Sequence, residues 1–352
     1  MSGNRSNRGR GNDLAIDNAA LEDFAREYGD RASSLPPVAI VIAAYNEEGG
    51  IGPVISSLPT TVCGLATATI VVADGCADGT VAEARDHGAI VCDVPVNRGQ
   101  GAALRLGYRI AREGGAQYIV TTDADGQYNP AEIDALLAPV VAGAADFVTG
   151  SRRLGSEETR DPVRRLGVRV FAVAISALTG QKISDTTFGL RAMRAEVTGA
   201  VRLDQQQYQA AELLIGVMSH GYRVAELPGT IHKRKVGESK KGHNAIYGLH
   251  YASVVLGTWW RERRRRPAAA QRRVPASGSP VSSRDDRRPS DRSAEVHEPF
   301  ARPEEPAAAN GAAVGSGPAD EAGSVGLAPG SSEAGSSETS SDTLDPRSLK
   351  RT

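Results

Sequence analysis

The sequence predicts an α/β fold with a mostly parallel sheet flanked by helices. Apolar, largely β-branched runs recur at residues 38–44, 68–73, 89–94 and 118–122. Segments with a helical pattern lie between them, at residues 48–58, 80–87 and 102–113. Strands and helices that alternate at this spacing favour a doubly wound parallel sheet with right-handed crossovers.

The composition divides the chain of 352 residues unevenly. Residues 1–34 are polar and are predicted to be a disordered or partly helical extension, with a helix at 13–28 as the helical alternative. Residues 35–243 carry the strand and helix patterns and are long enough to bury a sizeable core. Residues 244–266 are predicted to form an amphipathic helix with an arginine cluster. Residues 267–352 are rich in Ala, Pro, Gly, Ser and Glu, and this composition predicts a disordered tail.

Charge and cysteine content narrow the function classes. The formal net charge is −1, which argues against general attraction to nucleic acid. The three cysteines show no metal-ligand spacing and fit a reducing compartment. The first residues lack the apolar region of a secretory signal, and no window approaches the ~20 apolar residues that span a bilayer. We therefore expect a cytoplasmic protein.

The first strand, residues 38–44, reads VAIVIAA, a pattern typical of a strand covered on both faces. It runs into Tyr45 and Glu47. The second strand ends at Asp74, with Asp78 close behind it. The fourth strand ends in the segment DADGQ at residues 123–127.

Polar strand ends of this kind predict a binding site. Ligands of open α/β sheets bind at the carboxyl edge, where these ends meet. Asp123, Asp125 and the amide oxygen of Gln127 form a ligand set for Mg²⁺ or Mn²⁺, which also takes phosphate oxygens from a substrate. An ordinary polar turn is the alternative.

The segment NRGQG at residues 97–101 opens the third helix. A dinucleotide-binding fingerprint is a weak interpretation of it, because Leu104 stands where the third glycine belongs. Glycines that permit a tight turn into a helix explain the segment better.

Several segments together resemble blocks of family 2 glycosyltransferases, and most closely the dolichyl- or polyprenyl-phosphate mannose (or glucose) synthases. The segments are VIAAYNE at 41–47, VVADGCADGT at 71–80, NRGQG at 97–101, DADGQ at 123–127, GSR at 150–152, SDTTFGLR at 184–191 and RKVGESK at 234–240. They follow one another in the family's order and cover nearly all of the predicted globular part.

The resemblance implies a GT-A-type nucleotide-sugar-binding fold and assigns a role to each block. The donor would be GDP-mannose or UDP-glucose, held by Ala43, Tyr45, Glu47, Asp74, Asp123, Ala124, Arg234, Ser239 and Lys240. Asp123, Asp125 and Gln127 would bind Mg²⁺ or Mn²⁺. Arg152, Arg164 and Arg165 would receive the phosphate of a polyprenyl phosphate. Asp125, Arg152 and Asp185 would be the catalytic residues, with inversion at the anomeric carbon.

The chain departs from the family pattern at four positions. Ala43 stands where Pro is usual, Ala73 where Asp is usual, Cys76 where Ser is usual, and Gln100 where Lys is common. None of these changes removes a predicted metal ligand. They leave the identity of the donor open.

The chemistry agrees with such a site. Transfer from a nucleotide sugar develops negative charge on the departing diphosphate, which a cation and arginines can stabilise. A phosphate acceptor is already anionic and needs no general base. A hydroxyl acceptor would need one, with Asp185 the best candidate.

Other interpretations remain for individual features. Asp185 could cap a helix, and Glu212 could belong to a helix face rather than to the site. The arginine pairs 152–153 and 164–165 could form a solvated face. Residues 166–178 are predicted to be a helix that is buried, lines a prenyl groove or touches the bilayer.

The segment 245–266 ends in two tryptophans followed by arginines. This pattern suits contact with the inner face of the plasma membrane as well as a docked helix. Two further functions stay open: transfer to a soluble acceptor and a non-catalytic nucleotide-sugar-binding scaffold. Nucleotidylyltransfer is disfavoured because no basic glycine-rich loop follows the first strand.

Overall fold

The computed structural model describes residues 3–158, 162–233 and 244–265. Its strands are β1 (Val38–Ala44), β2 (Thr61–Val62), β3 (Leu65–Asp74), β4 (Ile90–Val94), β5 (Tyr118–Asp123), β6 (Phe147–Glu157), β7 (Arg191–Arg194) and β8 (Val224–Ile231). Its helices are α1 (Gly3–Tyr28), α2 (Asp30–Ser33), α3 (Ile51–Ser57), α4 (Thr80–Asp86), α5 (Gln100–Glu113), α6 (Glu132–Val141), α7 (Pro162–Thr179), α8 (Ala195–Ala200), α9 (Gln209–Ser219) and α10 (Asn244–Arg265).

All eight strands belong to one mixed sheet. Its main order is β4-β3-β1-β5-β7-β6-β8, and β2 pairs with the first residues of β3. β4, β3, β1 and β5 run parallel, and β6 and β8 run parallel to each other. β7 is antiparallel to both β5 and β6. The prediction of a mostly parallel sheet flanked by helices is confirmed.

β1 is buried on both faces, as its apolar run predicts. Ala39 and Val41 pack into a core cluster with α1, α5, α7, α9 and α10. Val38 and Ile40 face the opposite layer, in the cluster that contains α6. The alternation follows from the two-residue period of a strand.

The register brings the carboxyl ends of three strands to one edge. Ala43 lies opposite Asp123, Ala44 lies opposite Ala73, and Asp74 ends β3 one residue later. The expectation that the polar strand ends share an edge is therefore confirmed. The candidate site is built there.

The helix predicted at residues 13–28 forms part of the longer α1. Its residues Ala20 and Phe24 are buried against the sheet layer. The interpretation of Asp185 as a helix cap is wrong, because no helix begins after it among the described residues until α8, beyond β7. None of the helices in the described ranges has the length and apolar character needed to cross a bilayer.

Candidate active site

The acid pair follows directly from the end of β5. Asp123 is its last residue, and its Oδ1 accepts a hydrogen bond from Nε2 of Gln100, 3.0 Å away. Asp125 sits in the turn that follows, where its Oδ1 accepts from the backbone N–H of Gln127 at 3.1 Å. A Cβ on Gly189 would come within 2.9 Å of Oδ2 of Asp123, so a larger residue would crowd that carboxylate.

Gln127 joins this turn to the end of β8. Its side-chain Nε2 donates to the backbone carbonyl of His232 at 3.0 Å. The backbone carbonyl of Gln127 accepts from the His232 N–H at 2.8 Å. The amide oxygen of Gln127 is the atom that the sequence predicts as a metal ligand. Arg234, Ser239 and Lys240, predicted to contact the donor, lie outside the described residues.

The loops after β1 and β3 hold each other through backbone groups. The N–H of Glu47 donates to Oγ1 of Thr80 at 2.8 Å, and Oδ1 of Asn46 accepts from the N–H of Ala77 at 2.8 Å. The two loops therefore form one wall of the site, and Tyr45 is exposed on it. Ala43 is half-buried and Ala124 is buried beside this wall.

Asp74 points into the protein. Its Oδ2 accepts from the backbone N–H groups of Arg98 and Gly99 at 2.8 and 2.6 Å. Burial raises the pKa of Asp74, and these N–H groups and the Arg98 guanidinium oppose the shift. The carboxylate thus shapes the turn that begins α5 and carries Gln100. Its predicted role in nucleoside binding stays a prediction.

Arg152 lies in β6, buried within a second group of charges. Its Nε donates to Oδ2 of Asp185 at 2.6 Å, its NH2 group donates to Oγ1 of Thr187 at 3.0 Å, and its NH1 group donates to Oε1 of Glu157 at 3.3 Å. Burial lowers the pKa of Arg152, but the charge and hydrogen bond of Asp185, together with Tyr128 and Glu157, hold that pKa above its ordinary value. Arg152 and Asp185 are therefore an ion pair here.

The ion pair is connected to α7 and to β8. Glu157 also pairs with Nε of Arg165 at 3.3 Å, so it bridges two of the predicted acceptor arginines. Arg164 is the third residue of α7. Glu226 of β8 accepts from the N–H groups of Ser184 and Asp185 at 2.8 and 2.9 Å.

Tyr128 connects the acid pair with the arginine group. Its hydroxyl accepts from the N–H of Gly189 at 2.7 Å. Burial raises the pKa of Tyr128, the charges of Asp123 and Asp125 raise it further, and the charge of Arg152 opposes them. A Cβ on Gly189 would come within 2.8 Å of the Tyr128 hydroxyl and 2.9 Å of Oδ2 of Asp123, and Arg152 donates to Thr187, two residues before Gly189. Asp123 and the Arg152 group therefore lie near the half-buried side chain of Tyr128.

Glu212 lies on a buried face of α9. It is fully buried in α9, and its carboxylate accepts from the N–H groups of Asp204 and Gln205 and from Arg261 of α10. Burial raises the pKa of Glu212, and the hydrogen bonds to Gln205 and Arg261 oppose this shift. Glu212 therefore belongs to a face of α9, as one of its two interpretations has it; that face is buried, and the carboxylate ties a loop to α10.

Sequence reasoning missed the partners that orient the predicted residues. Tyr128, Glu157 and Glu226 carried no motif signal, because each acts through a contact made only in the folded chain. Gln100 stood out in the sequence solely as a departure from a family pattern.

Asp123 and Asp125 are the two carboxylates that could hold a divalent cation here. Within residues 3–158, 162–233 and 244–265, no group of three His, Cys, Asp or Glu side chains is arranged to hold a metal ion. Two acids nevertheless suit Mg²⁺, which is commonly held by one or two carboxylates while phosphates and water complete its shell. The residues fit a cation that arrives with a diphosphate.

The profile of the family described as "Glycosyl transferase family 2" matches residues 39–202. A dolichyl-phosphate hexose transferase of Haloferax volcanii is 32% identical over 203 residues, with 58% of this chain and 86% of that protein covered. The chain belongs to glycosyl transferase family 2.

Two further proteins show comparable similarity. An undecaprenyl-phosphate mannosyltransferase of Micrococcus luteus is 31% identical, with 63% of this chain and 93% of that protein covered. A polyprenol monophosphomannose synthase of Mycolicibacterium smegmatis is 34% identical, with coverages of 59% and 82%. Both names refer to a prenyl-type acceptor.

A solved structure shows the same fold at low identity. Glucosyl-3-phosphoglycerate synthase from Mycobacterium tuberculosis superimposes with a TM-score of 0.51 at 20% identity, covering 67% of this chain and 84% of that one. Another structure of that enzyme, with a TM-score of 0.51 at 18% identity, holds Mg²⁺ and uridine diphosphate. The GT-A-like glycosyltransferase fold of this chain is thereby confirmed.

Proposed function

We propose that this family 2 glycosyltransferase moves a hexose, mannose or glucose, from a GDP- or UDP-sugar to a polyprenyl phosphate, with inversion at the anomeric carbon. The observation that carries the proposal is the position of Asp123 and Tyr128 beside Gly189, two residues after the Thr187 that Arg152 contacts, in a chain whose relatives are named for polyprenyl-type acceptors. Acids for the donor and arginines for an anionic acceptor would then share one site.

The acid pair would hold the donor diphosphate through Mg²⁺ or Mn²⁺. Asp123 and Asp125 supply two carboxylates, and the amide oxygen of Gln127 is the third protein ligand in this proposal. When bound, the cation would stabilise the negative charge of the leaving diphosphate. The metal bound to the similar enzyme structure supports this choice of cation.

Gln100 would orient the first carboxylate. Its Nε2 hydrogen bond fixes Oδ1 of Asp123. Because Gln100 is neutral, it leaves the negative charge of the acid pair undiminished, whereas a lysine at this position would offset part of it. The wall formed by Tyr45 and Glu47, together with Ala43, Asp74 and Ala124, would hold the nucleoside. Arg234, Ser239 and Lys240 would contact the donor from their loop.

The arginine group would receive the acceptor phosphate. Arg165 is partly exposed and shares Glu157 with Arg152, so a phosphate that displaces Glu157 would meet both guanidinium groups. Arg164 would add a third. Asp185 keeps Arg152 in place through the ion pair. A phosphate oxygen attacks without losing a proton, so the ion pair of Asp185 need not open for a base.

Incubation with labelled GDP-mannose or UDP-glucose, Mn²⁺ and a polyprenyl phosphate tests the proposal. We expect label in an organic-extractable, acid-labile product for one donor. Label that stays wholly in aqueous products would point to a soluble acceptor. Absence of transfer from any nucleotide sugar, with nucleotide binding intact, would favour a non-catalytic scaffold.

A further inference from the structure

The outer faces of α7 and α10 expose apolar side chains in a regular pattern. Leu166, Val170 and Val173 of α7 are 61%, 55% and 71% exposed. Their spacing of four and three residues places them on one stripe along the helix. Leu256 and Trp260 of α10, four residues apart, are 55% and 52% exposed. These five residues are most of the large exposed hydrophobic side chains in the described part of the chain.

α7 and α10 lie side by side and run in the same direction. The rings of Phe171 and Tyr251 are 4.4 Å apart, and further along Nε1 of Trp259 donates to the carbonyl of Leu178 at 2.7 Å. Since both helices bury one face in the same core cluster, their opposite faces look outward together. Their exposed apolar residues therefore form one surface.

Positive charge borders this surface. α7 contains no acidic residue, and its Arg165 and Arg169 are exposed. On α10, Arg263 and Arg264 are exposed, and the guanidinium of Arg264 lies 3.2 Å from the ring centroid of Trp260.

Glu262, in the last turn of α10, does not neutralise the charge of these arginines. Glu262 is buried and faces Arg261 and His220. Arg261 in turn reaches inward to Glu212. The outer face of α10 therefore carries cations beside tryptophan.

We infer that this surface, formed by Leu166, Val170, Val173, Leu256 and Trp260 with the arginines around it, docks the enzyme on an anionic lipid bilayer. Apolar side chains beside cationic ones suit the boundary between acyl chains and anionic headgroups. A second copy of the chain would bring like charges together. An anionic bilayer is thus the partner that matches both the apolar side chains and the arginines of the surface.

The position of the surface suits the acceptor proposed above, and the inference rests on that proposed function. α7 begins next to the Glu157 that links Arg165 to Arg152. A bilayer along the stripe would lie beside the arginine group. The phosphate of a membrane lipid could then reach these arginines while its chain stays among the acyl chains.

Cosedimentation with lipid vesicles tests the surface in the full-length protein. Wild type is expected to bind vesicles with about one third phosphatidylglycerol at least about tenfold better than pure phosphatidylcholine vesicles. Val173→Glu is expected to reduce that binding about tenfold, since it places a carboxylate among acyl chains. Leu14→Glu is the matched control, because Leu14 of α1 is 57% exposed on a different element and should leave binding unchanged.

Tryptophan fluorescence provides a second readout that needs no destabilising change. Anionic vesicles are expected to shift the emission to shorter wavelength in wild type but not in Trp260→Phe. Equal binding by Val173→Glu and wild type, no binding to any vesicle, or a dimer that Val173→Glu dissociates would each overturn the inference.

A water-soluble, short-chain prenyl phosphate separates the two proposals. Val173→Glu should transfer sugar to it as well as wild type does, because the stripe lies outside the proposed catalytic group. Vesicle binding without transfer to any prenyl phosphate would reject the proposed function alone. Transfer to the soluble acceptor without vesicle binding would reject the docking surface alone.

Discussion

At the scale of single residues, hydrogen-bond partners decide what each predicted side chain can do. Asp123 is oriented by Gln100, whereas Asp74 is turned inward by the N–H groups of Arg98 and Gly99. Both acids end strands at one sheet edge, so their position alone would suggest equal roles. Their contacts differ: Gln100 fixes Oδ1 of Asp123, whereas Oδ2 of Asp74 also holds the turn before α5.

Gln100→Ala should reduce kcat/KM for transfer by about five- to tenfold, the value of roughly one hydrogen bond. The reason is that Asp123 loses the donor that fixes its Oδ1. The Mn²⁺ concentration needed for half-maximal activity should rise as well. Gln117→Ala, which removes an exposed amide just before β5, serves as the control and should leave both quantities unchanged. Unchanged metal dependence in Gln100→Ala would contradict a positioning role.

At the scale of elements, α1 is joined to the donor side of the site by a buried ion pair. NH1 of Arg98 donates to Oδ1 of Asp17 at 2.6 Å, and both side chains are almost fully buried. The same Arg98 contributes its backbone N–H to Asp74. A helix outside the matched family segment thus supports the turn that carries Gln100.

Asp17→Ala should destabilise the fold by about 3 kcal/mol, because it leaves the Arg98 charge buried without its close partner. Urea unfolding measures the loss. Asp23→Ala is the matched control on the same helix: its pair with Arg26 is exposed, and its removal should cost less than about 1 kcal/mol. Equal losses of unfolding free energy in the two variants would show that the buried pair with Arg98 contributes no more than the exposed pair with Arg26.

A second ion pair gives the fold a defined response to acid. Burial raises the pKa of Asp146, but the hydrogen bonds and charge of Arg223, together with the charge of Arg194, hold that pKa below its ordinary value. A lowered pKa stabilises the folded state above the ordinary carboxyl pKa, and this contribution disappears as the pH falls through the lowered value.

Asp146→Asn should therefore lower the urea midpoint at neutral pH and lose less stability than wild type on acidification. Urea titrations at neutral pH and at about pH 3 check this expectation. The same loss of unfolding free energy on acidification in wild type and in Asp146→Asn would contradict it.

The elements also show what sequence patterns could reveal. β1, β3, β4 and β5 were predictable because each carries a run of apolar, largely β-branched residues, most of which are buried. β7 has the sequence RAMR, and β8 contains Pro228 and Gly229, so neither carries a strand pattern. The shared edge of Asp74 and Asp123 followed from parallel topology. The pairing of Arg152 with Asp185 did not, because it depends on how the chain folds between β6 and β7.

At the scale of the whole molecule, one sheet edge would meet two kinds of partner. The parallel half contributes the acids and the loops for a nucleotide sugar. The half with β6 and α7 contributes the arginines, and α7 leads on to the apolar outer surface. A soluble donor and a membrane-bound acceptor would thus approach from different sides and meet near Tyr128.

The proposed function requires that Asp123 and Asp125 bind the donor diphosphate through a divalent cation. Thermal unfolding with GDP or UDP, with and without Mn²⁺, tests it most directly, because a ligand that binds the folded state raises its Tm. We expect one nucleotide to raise the Tm of wild type and of the surface control Asp86→Asn only when Mn²⁺ is present, with no rise in Asp123→Asn or Asp125→Asn. A Mn²⁺-dependent rise that persists in both acid variants would contradict the claim.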